Sequence, residues 1–161
     1  MFRIGFGYDV HRLTVDRKLV LGGIEIPFEK GTLGHSDGDA LIHAICDALL
    51  GALALRDIGH HFPDTSEQYK DIDSKILLAR TISLIRSRGW EIVNIDSTIC
   101  LEKPKLQEHI PRMQVVLADV LQIQPDHVSI KATTNEGMGF VGSGEGLAVY
   151  AVVLMNKVAQ G

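Results

Sequence analysis

Apolar residues in the first segment of the chain fall on alternate positions. Over Phe2 to Val10 the pattern reads as a strand in which Ile4, Phe6, Tyr8 and Val10 share one face, while Asp9 and His11 share the other. Residues 19–28, LVLGGIEIPF, set two short apolar runs on either side of Gly22 and Gly23, a hairpin signal. The period then changes. From Asp39 to Leu55 the segment DALIHAICDALLGALAL is dense in Ala and Leu and follows the capping residues Ser36 and Asp37, which predicts a helix. A second helix is expected from Ser74 to Arg88, with Ile76, Leu77, Ile82, Leu84 and Ile85 as its apolar stripe and Gly89 as its stop. A third starts at Pro111, runs through Met113, Val116, Leu117, Val120 and Leu121, and ends before Pro125. Between them Val93, Ile95, Ile99 and Leu101 alternate with Asn94, Asp96 and Thr98. Val128, Ile130 and Ala132 alternate in the same way with Ser129, Lys131 and Thr133, so both stretches read as strands with one buried face.

The last apolar run, LAVYAVVLM from Leu147 to Met155, is apolar on both faces. Helices of the same domain can cover one of them. With 161 residues and three helices already placed, little chain is left to cover the other, which therefore calls for a neighbouring subunit. The expected fold is α+β, a two-layer sandwich with a mixed β-sheet, helices packed on one face and the other face buried in an oligomer. No linker, low-complexity tract or solenoid repeat interrupts the chain, so one domain is expected over residues 1–161.

Composition narrows the class. A chain of 161 residues buries about two-thirds of the surface its unfolded form exposes, so it needs no staple. Cys46 and Cys100 lie in apolar segments without CxxC spacing and read as buried free thiols, compatible with a reducing cytoplasm. The start, MFRIGFGYDVH, has neither a signal-peptide core nor a transit-peptide character, and no apolar stretch reaches membrane-spanning length, so a soluble, unprocessed chain is expected. A formal net charge of −4 argues against a nucleic-acid surface. An anionic ligand must then be neutralised locally.

Three stretches offer that chemistry. His43 and Asp47 are four apart on the predicted helix and so share a face. Asp9, His11 and His43 together make an Asp/His/His set, which leaves a zinc ion one open position, and Asp47 is placed to hold the second ring nitrogen of His43. The bland alternative, in which His43 caps an apolar helix face and Asp47 is solvated, stays open on spacing alone. IKATTNEGMGF, Ile130 to Phe140, ends a strand in hydroxyls, a carboxylate and glycines, either donors for phosphate with Glu136 for a hard cation or a polar turn. LEKPKL, Leu101 to Leu106, is either a solvated loop or a backbone-lined pocket with Lys105 for phosphate.

Taken together, GYDVH, GHSDGDALIH, RDIGHHFPDT, KPKL, ATTNEGMGF and GSGEG occur in the order and roughly the spacing of the 2-C-methyl-D-erythritol 2,4-cyclodiphosphate synthase family, which the chain resembles over essentially its whole length. The resemblance implies a homotrimer of the non-mevalonate isoprenoid pathway with active sites between subunits. It implies a phosphorus-oxygen lyase in which the 2-phosphate of 4-diphosphocytidyl-2-C-methyl-D-erythritol 2-phosphate attacks the β-phosphorus, CMP leaves and a cyclic diphosphate forms. Matched residue by residue, it puts a zinc ion on Asp9, His11 and His43, and Mg2+ or Mn2+ on Glu136 with the substrate phosphates. His35 and Thr134 match the transition-state stabilisers. Asp57, Ile58 and Gly59 match the diol-binding segment, and the loop His61 to Ser66 (Phe62, Pro63, Asp64, Thr65, Ser66) closes over the erythritol. Cytidine is expected against Leu101, Glu102, Lys103, Pro104, Lys105 and Leu106 and against Ala132, Thr133 and Thr134 of the neighbouring subunit. Ser36, Phe140 and Ser143 complete the substrate-binding set.

Ser143 departs from the family pattern, in which many members carry an arginine directed into an apolar channel on the trimer axis. A neutral hydroxyl there predicts weak binding of geranyl or farnesyl diphosphate, with the cyclase reaction unaffected. Phosphoryl transfer asks mainly for positioning and charge neutralisation, which two cations and a helix N-terminus after His35 and Ser36 supply to an acidic protein. A zinc-dependent nucleotide-diphosphate hydrolase and a non-enzymatic trimeric isoprenoid- or nucleotide-binding module are the alternatives.

Overall fold

In a computed structural model, which describes residues 1–158, the alternating N-terminal segment forms strand β1 (Phe2–Thr14). A hairpin follows, β2 (Leu19–Leu21) and β3 (Ile24–Ile26), turning on Gly22 and Gly23 at φ of 59° and 76°, a left-handed conformation that glycine adopts without strain. The short β4 (Gly31–Thr32) leads into helix α1 (Ala40–Ala52), and a single helical turn, α2 (Ile58–His61), precedes α3 (Ser74–Ser87). Next come β5 (Trp90–Cys100), α4 (Ile110–Leu121), β6 (Val128–Thr133), the short α5 (Gly139–Gly142) and β7 (Gly146–Lys157).

Five strands form one sheet in the order β4-β1-β7-β5-β6. β7 pairs antiparallel with both β1 and β5, whereas β5 and β6 run parallel with α4 in the crossover between them, so the sheet is mixed and the fold α+β. Leu147, Val149, Ala151, Val153 and Met155 of β7 point into the core with Ile42, Ile45, Cys46 and Leu49 of α1. The opposite sheet face carries Ile4 (72% exposed), Phe6 (61%), Tyr8, Val10, Tyr150 and Val152. Its rings form a patch, Tyr8 and Tyr150 lying 5.2 Å apart between centroids.

Two glycines set the depth at which α1 sits. A Cβ at Gly5 would lie 1.8 Å from the Ala48 carbonyl oxygen and one at Gly7 would lie 1.9 Å from that of Ala44. Only a strand without side chains at these positions, facing alanines on the helix, lets the two backbones touch. That contact carries His43, next to Ala44, towards Asp9 and His11.

Several expectations need correction. The α1 cap is Asp39, not Ser36 or Asp37: it is fully buried, and its carboxylate accepts from the Ile42, Gly22 and Gly23 amides, fastening the helix start to the hairpin turn. The buried stripe of α3 runs through Leu77, Leu78, Ile82 and Ile85, leaving Ile76 at the surface. A register shift between Ile92 and Asn94 puts Ile92 in the core and turns Val93 aside. Ala132 is exposed at the end of β6, and Cys100 is only half-buried, whereas Cys46 is fully buried. The last residues of the expected domain, 159–161, lie outside the described residues.

Candidate active site

Asp9 and His11 project from the helix-facing side of β1, as strand alternation requires, and His43 meets them from α1. Asp9 Oδ2 lies 2.8 Å from His11 Nε2 and 3.0 Å from His43 Nδ1, and the two ring nitrogens are 3.3 Å apart. All three side chains are largely buried, the histidines to 14% and 13% exposure. The other nitrogen of His11, Nδ1, sits 2.8 Å from the Leu33 carbonyl oxygen, which only accepts, so Nδ1 carries the hydrogen and Nε2 presents a lone pair to Asp9. A carboxylate oxygen and an imine nitrogen at that separation need a cation between them. Among the described residues this trio is the one His/Cys/Asp/Glu group with metal-ligand spacing, and an Asp/His/His donor set suits a borderline divalent ion with one position left open.

A proton competes for the same place. Burial opposes ionisation of Asp9, but the bonds and charges of His11 and His43 outweigh it and hold the carboxyl at about 2. Burial likewise disfavours the His11 cation, yet the Asp9 bond and charge raise its pKa above the usual imidazole range. Uptake of a metal ion at this place would therefore displace a proton.

Around the trio opens a cavity of about 390 Å3, lined also by His35, Ser36, Ile58, Gly59, Phe62 and Asp64. His35 Nε2 donates to the Ser66 carbonyl, tying the residue to the 62–66 loop. Asp57 caps α2, accepting from the His60 amide. Pro63 and Thr65 are exposed on the loop and do not line the cavity. Tyr69, which sequence reasoning passed over, is buried at the cavity wall with its ring 5.6 Å from that of Phe62, edge to face.

Asp47 lines this cavity but does not hold His43. Its Oδ1 accepts from the Ile58 amide at 2.7 Å, one of the unpaired donors at the start of α2, and burial, then the Asp57 and Asp9 charges, raise its pKa. The second nitrogen of His43 faces the hydroxyls of Ser36 at 3.1 Å and Ser74 at 3.0 Å. Sequence reasoning missed Ser74, which opens α3 and reads there as an ordinary helix-start residue.

A second cavity of about 330 Å3 gathers Leu101, Glu102, Pro104, Lys105, Leu106, Ala132, Thr133 and Thr134, and shares no lining residue with the first. Glu102 accepts from the Asn135 amide and so joins the 101–106 loop to the turn after β6. Thr134 and Glu136 are exposed on that turn, with Glu136 in the left-handed region at φ 53°. Lys103 and Ser143 line an adjoining hollow of about 260 Å3, and Phe140 closes a smaller one beside His11. Ser143 Oγ lies within donating distance of Glu145 Oε1, at 3.0 Å, and of the Phe140 carbonyl.

Known proteins share this fold. The chain is 60% identical over 156 residues to 2-C-methyl-D-erythritol 2,4-cyclodiphosphate synthase of Bacteroides fragilis, covering 97% of this chain and 98% of that one. A solved 2C-methyl-D-erythritol-2,4-cyclodiphosphate synthase in its CDP-bound form matches with a TM-score of 0.88 at 36% identity, over 96% of this chain and 100% of that one. The bifunctional IspDF of Campylobacter jejuni matches with a TM-score of 0.94 at 38% identity, over 98% of this chain but 42% of that longer one. With the YgbB family model matching residues 2–156, nearly the whole of the described chain, the protein belongs to the YgbB family.

Proposed function

We propose that the chain is the synthase its relatives are named for. It converts 4-diphosphocytidyl-2-C-methyl-D-erythritol 2-phosphate to the 2,4-cyclodiphosphate with release of CMP, as a lyase of non-mevalonate isoprenoid biosynthesis. The observation that carries this reading is the meeting of Asp9, His11 and His43 in one cavity of a chain that matches such enzymes end to end. An oxygen of the 2-phosphate bonds to the β-phosphorus while the bond from that phosphorus to the CMP oxygen breaks. No water is consumed. A phosphate monoester is already ionised at neutral pH, so the protein supplies position and positive charge rather than a base.

Zn2+ suits Asp9, His11 and His43, and Mg2+ or Mn2+ suits Glu136 together with substrate phosphates; such cations, when bound, neutralise charge on the phosphoryl oxygens. The chain's own residues do the rest. His35 and Thr134 offer donors to the transferring phosphoryl group, and Ser36 adds a hydroxyl beside them. Asp57, with the Ile58 and Gly59 backbone, receives the diol, and the loop from Phe62 to Ser66 (Pro63, Asp64 and Thr65 included) closes over it. Carbonyls and amides of Leu101 to Leu106 read the cytosine edge, Lys103 and Lys105 add charge, and Ala132 and Thr133 floor the pocket. Phe140 and Ser143 contribute from the turn before β7. Asp47 steadies Ile58 rather than His43.

Because the two cavities are separate within one chain, the reading places the cytidine pocket of one subunit beside the metal cavity of the next in a homotrimer. The apolar sheet face supports that assembly. Among the described residues no helix is long and apolar enough to cross a membrane, which accords with a cytoplasmic enzyme. Incubation with the diphosphocytidyl substrate, followed by phosphorus NMR, tests the function: CMP and a cyclic diphosphate are expected, whereas linear phosphate products or an unchanged substrate overturn it.

A further inference from the structure

The geometry points to Ser74 and Asp37 as a positioning pair that fixes the tautomer of His43, turning its Nδ1 lone pair towards Asp9 and His11. This rests on the reading of that trio as a metal site. His43 is the one ligand of the three that comes from a helix, and nothing in its helical spacing decides which ring nitrogen carries hydrogen. Ser74, fully buried at the first position of α3, decides it. Its Oγ lies against Asp37 Oδ1, and Asp37 Oδ2 also accepts from the Ser74 amide at 2.9 Å, so the carboxylate grips this residue twice. A serine hydroxyl has one hydrogen, and a carboxylate oxygen is the stronger acceptor for it. With that hydrogen committed to Asp37, Oγ has only lone pairs left for His43 Nε2, 3.0 Å away. Nε2 must then be the N–H, and Nδ1 is left bare.

Ser36 agrees with this assignment. Its Oγ accepts from the Gly38 amide and stands 3.1 Å from His43 Nε2, ready to accept a shared hydrogen from the same nitrogen. Both bare atoms of the histidine pair, His11 Nε2 and His43 Nδ1, thus point at Asp9 for the same kind of reason: each ring spends its hydrogen on an outer acceptor. For His11 the acceptor is the Leu33 carbonyl. For His43 it is a hydroxyl that has become a pure acceptor because a carboxylate stands behind it. Removing Asp37 frees the Ser74 hydrogen to donate to Nε2, which moves the ring hydrogen to Nδ1 and closes the site to a metal. Ser74 does not line the cavity and acts through His43, so it is a positioning residue.

The test uses the full chain with and without metal. Long-range proton–nitrogen correlation spectra of the metal-free protein in mildly alkaline buffer report the tautomer of His43 directly. The native protein is expected to show hydrogen on Nε2, and Ser74→Ala and Asp37→Asn to show a mixture or the Nδ1 form. Competition against a chromophoric chelator should give Zn2+ affinity roughly 10–100-fold weaker in both variants, with Ser74→Thr, which keeps the hydroxyl, close to native. Thermal unfolding of the metal-free proteins identifies a variant that fails to fold, and the Ser74→Thr spectrum then carries the comparison. Hydrogen on Nδ1 in the native protein, or native Zn2+ affinity in Ser74→Ala, overturns the proposal. A native protein that shows the Nε2 form yet binds neither Zn2+ nor Co2+ overturns the metal reading instead and leaves the tautomer assignment standing.

Discussion

Thr134 and Glu136 stand two positions apart on one exposed turn, and their chemistry separates them. In the free chain Thr134 Oγ1 lies 3.4 Å from Glu136 Oε1 and accepts from the Glu136 amide at 3.3 Å, so the turn closes on itself. On the proposed reading, a cation held by Glu136 would take that carboxylate out of the internal bond and leave the threonine hydrogen for the transferring phosphoryl group. Glu136→Gln is therefore expected to raise the Mg2+ or Mn2+ concentration needed for half-maximal turnover. Thr134→Val should lower kcat by about 100-fold with the metal requirement unchanged, since a donor aimed at developing charge acts mainly in the transition state. Metal titrations of turnover decide it, and identical metal dependence in the two variants refutes the division. At this scale the sequence was legible where a period governs. Strand alternation put Asp9 and His11 on one side, and the helix put His43 on an inward face. It was illegible where pairing is long-range: Ser74 and Asp37 are 37 positions apart and meet only because α3 folds back beside the start of α1. Asp47 shows the limit of spacing, because a nearer unpaired amide, that of Ile58, outcompetes His43 for its carboxylate.

Between elements, the contact of β1 with α1 governs both stability and site geometry. Gly7→Ala places a methyl 1.9 Å from the Ala44 carbonyl, which the helix must move to relieve. Overpacking of this kind costs about 1–3 kcal/mol or more, and the displaced helix carries His43 with it, so Zn2+ affinity should fall together with the unfolding midpoint. Gly51→Ala on the same helix meets nothing nearer than 3.8 Å and should raise stability by up to about 1 kcal/mol with Zn2+ affinity unchanged. Denaturant titration and chelator competition on both variants check the contrast, and equal effects would show that backbone proximity does not control the site. Asp39 adds a pH dependence at the other end of the element. Burial raises its pKa to about 6 from 3.8, against the opposing bonds from the Gly23 and Ile42 amides. The folded state then keeps a proton that the unfolded state has released. This stabilising contribution is complete below the unfolded value and is lost as pH rises through the folded one, about 3 kcal/mol in all. Urea unfolding in a chelating buffer should show the native protein losing stability relative to Asp39→Asn from about pH 4 to about pH 7; parallel profiles contradict it. The long elements were readable from their periods. The single-turn α2 and α5 were not, since four residues contain no period, and the shift at Ile92 depends on how β7 pairs with β5.

At the scale of the molecule, the proposed assembly draws on two features together: a sheet face lined by Ile4, Phe6, Tyr8, Val10, Tyr150 and Val152, and two cavities with no lining residue in common. The closing strand showed the first of these in its sequence, being apolar on both faces, because no further layer of this chain was left to cover it. The second needed the fold. A face of this kind is buried in stable oligomers, and in the proposed trimer one heterologous contact, repeated until it closes, would bring the metal cavity of each subunit to the nucleotide cavity of the next. Such a site can be broken from either side and repaired by mixing. His43→Ala removes a metal ligand but leaves the 101–106 and 132–134 surfaces intact. Ala132→Trp fills the nucleotide pocket from an exposed position at the end of β6 but leaves the metal ligands intact. Each variant alone should be inactive. When the two are unfolded and refolded together in equal amounts, a site is complete wherever an Ala132→Trp subunit supplies the metal side and its neighbour, a His43→Ala subunit, supplies the nucleotide side. Random assembly makes that about one site in four, so the mixture should recover about a quarter of native turnover. Light scattering on each variant must first show that assembly survives. If both assemble and the mixture stays inactive, metal and nucleotide are held by the same chain and the shared-site architecture is wrong.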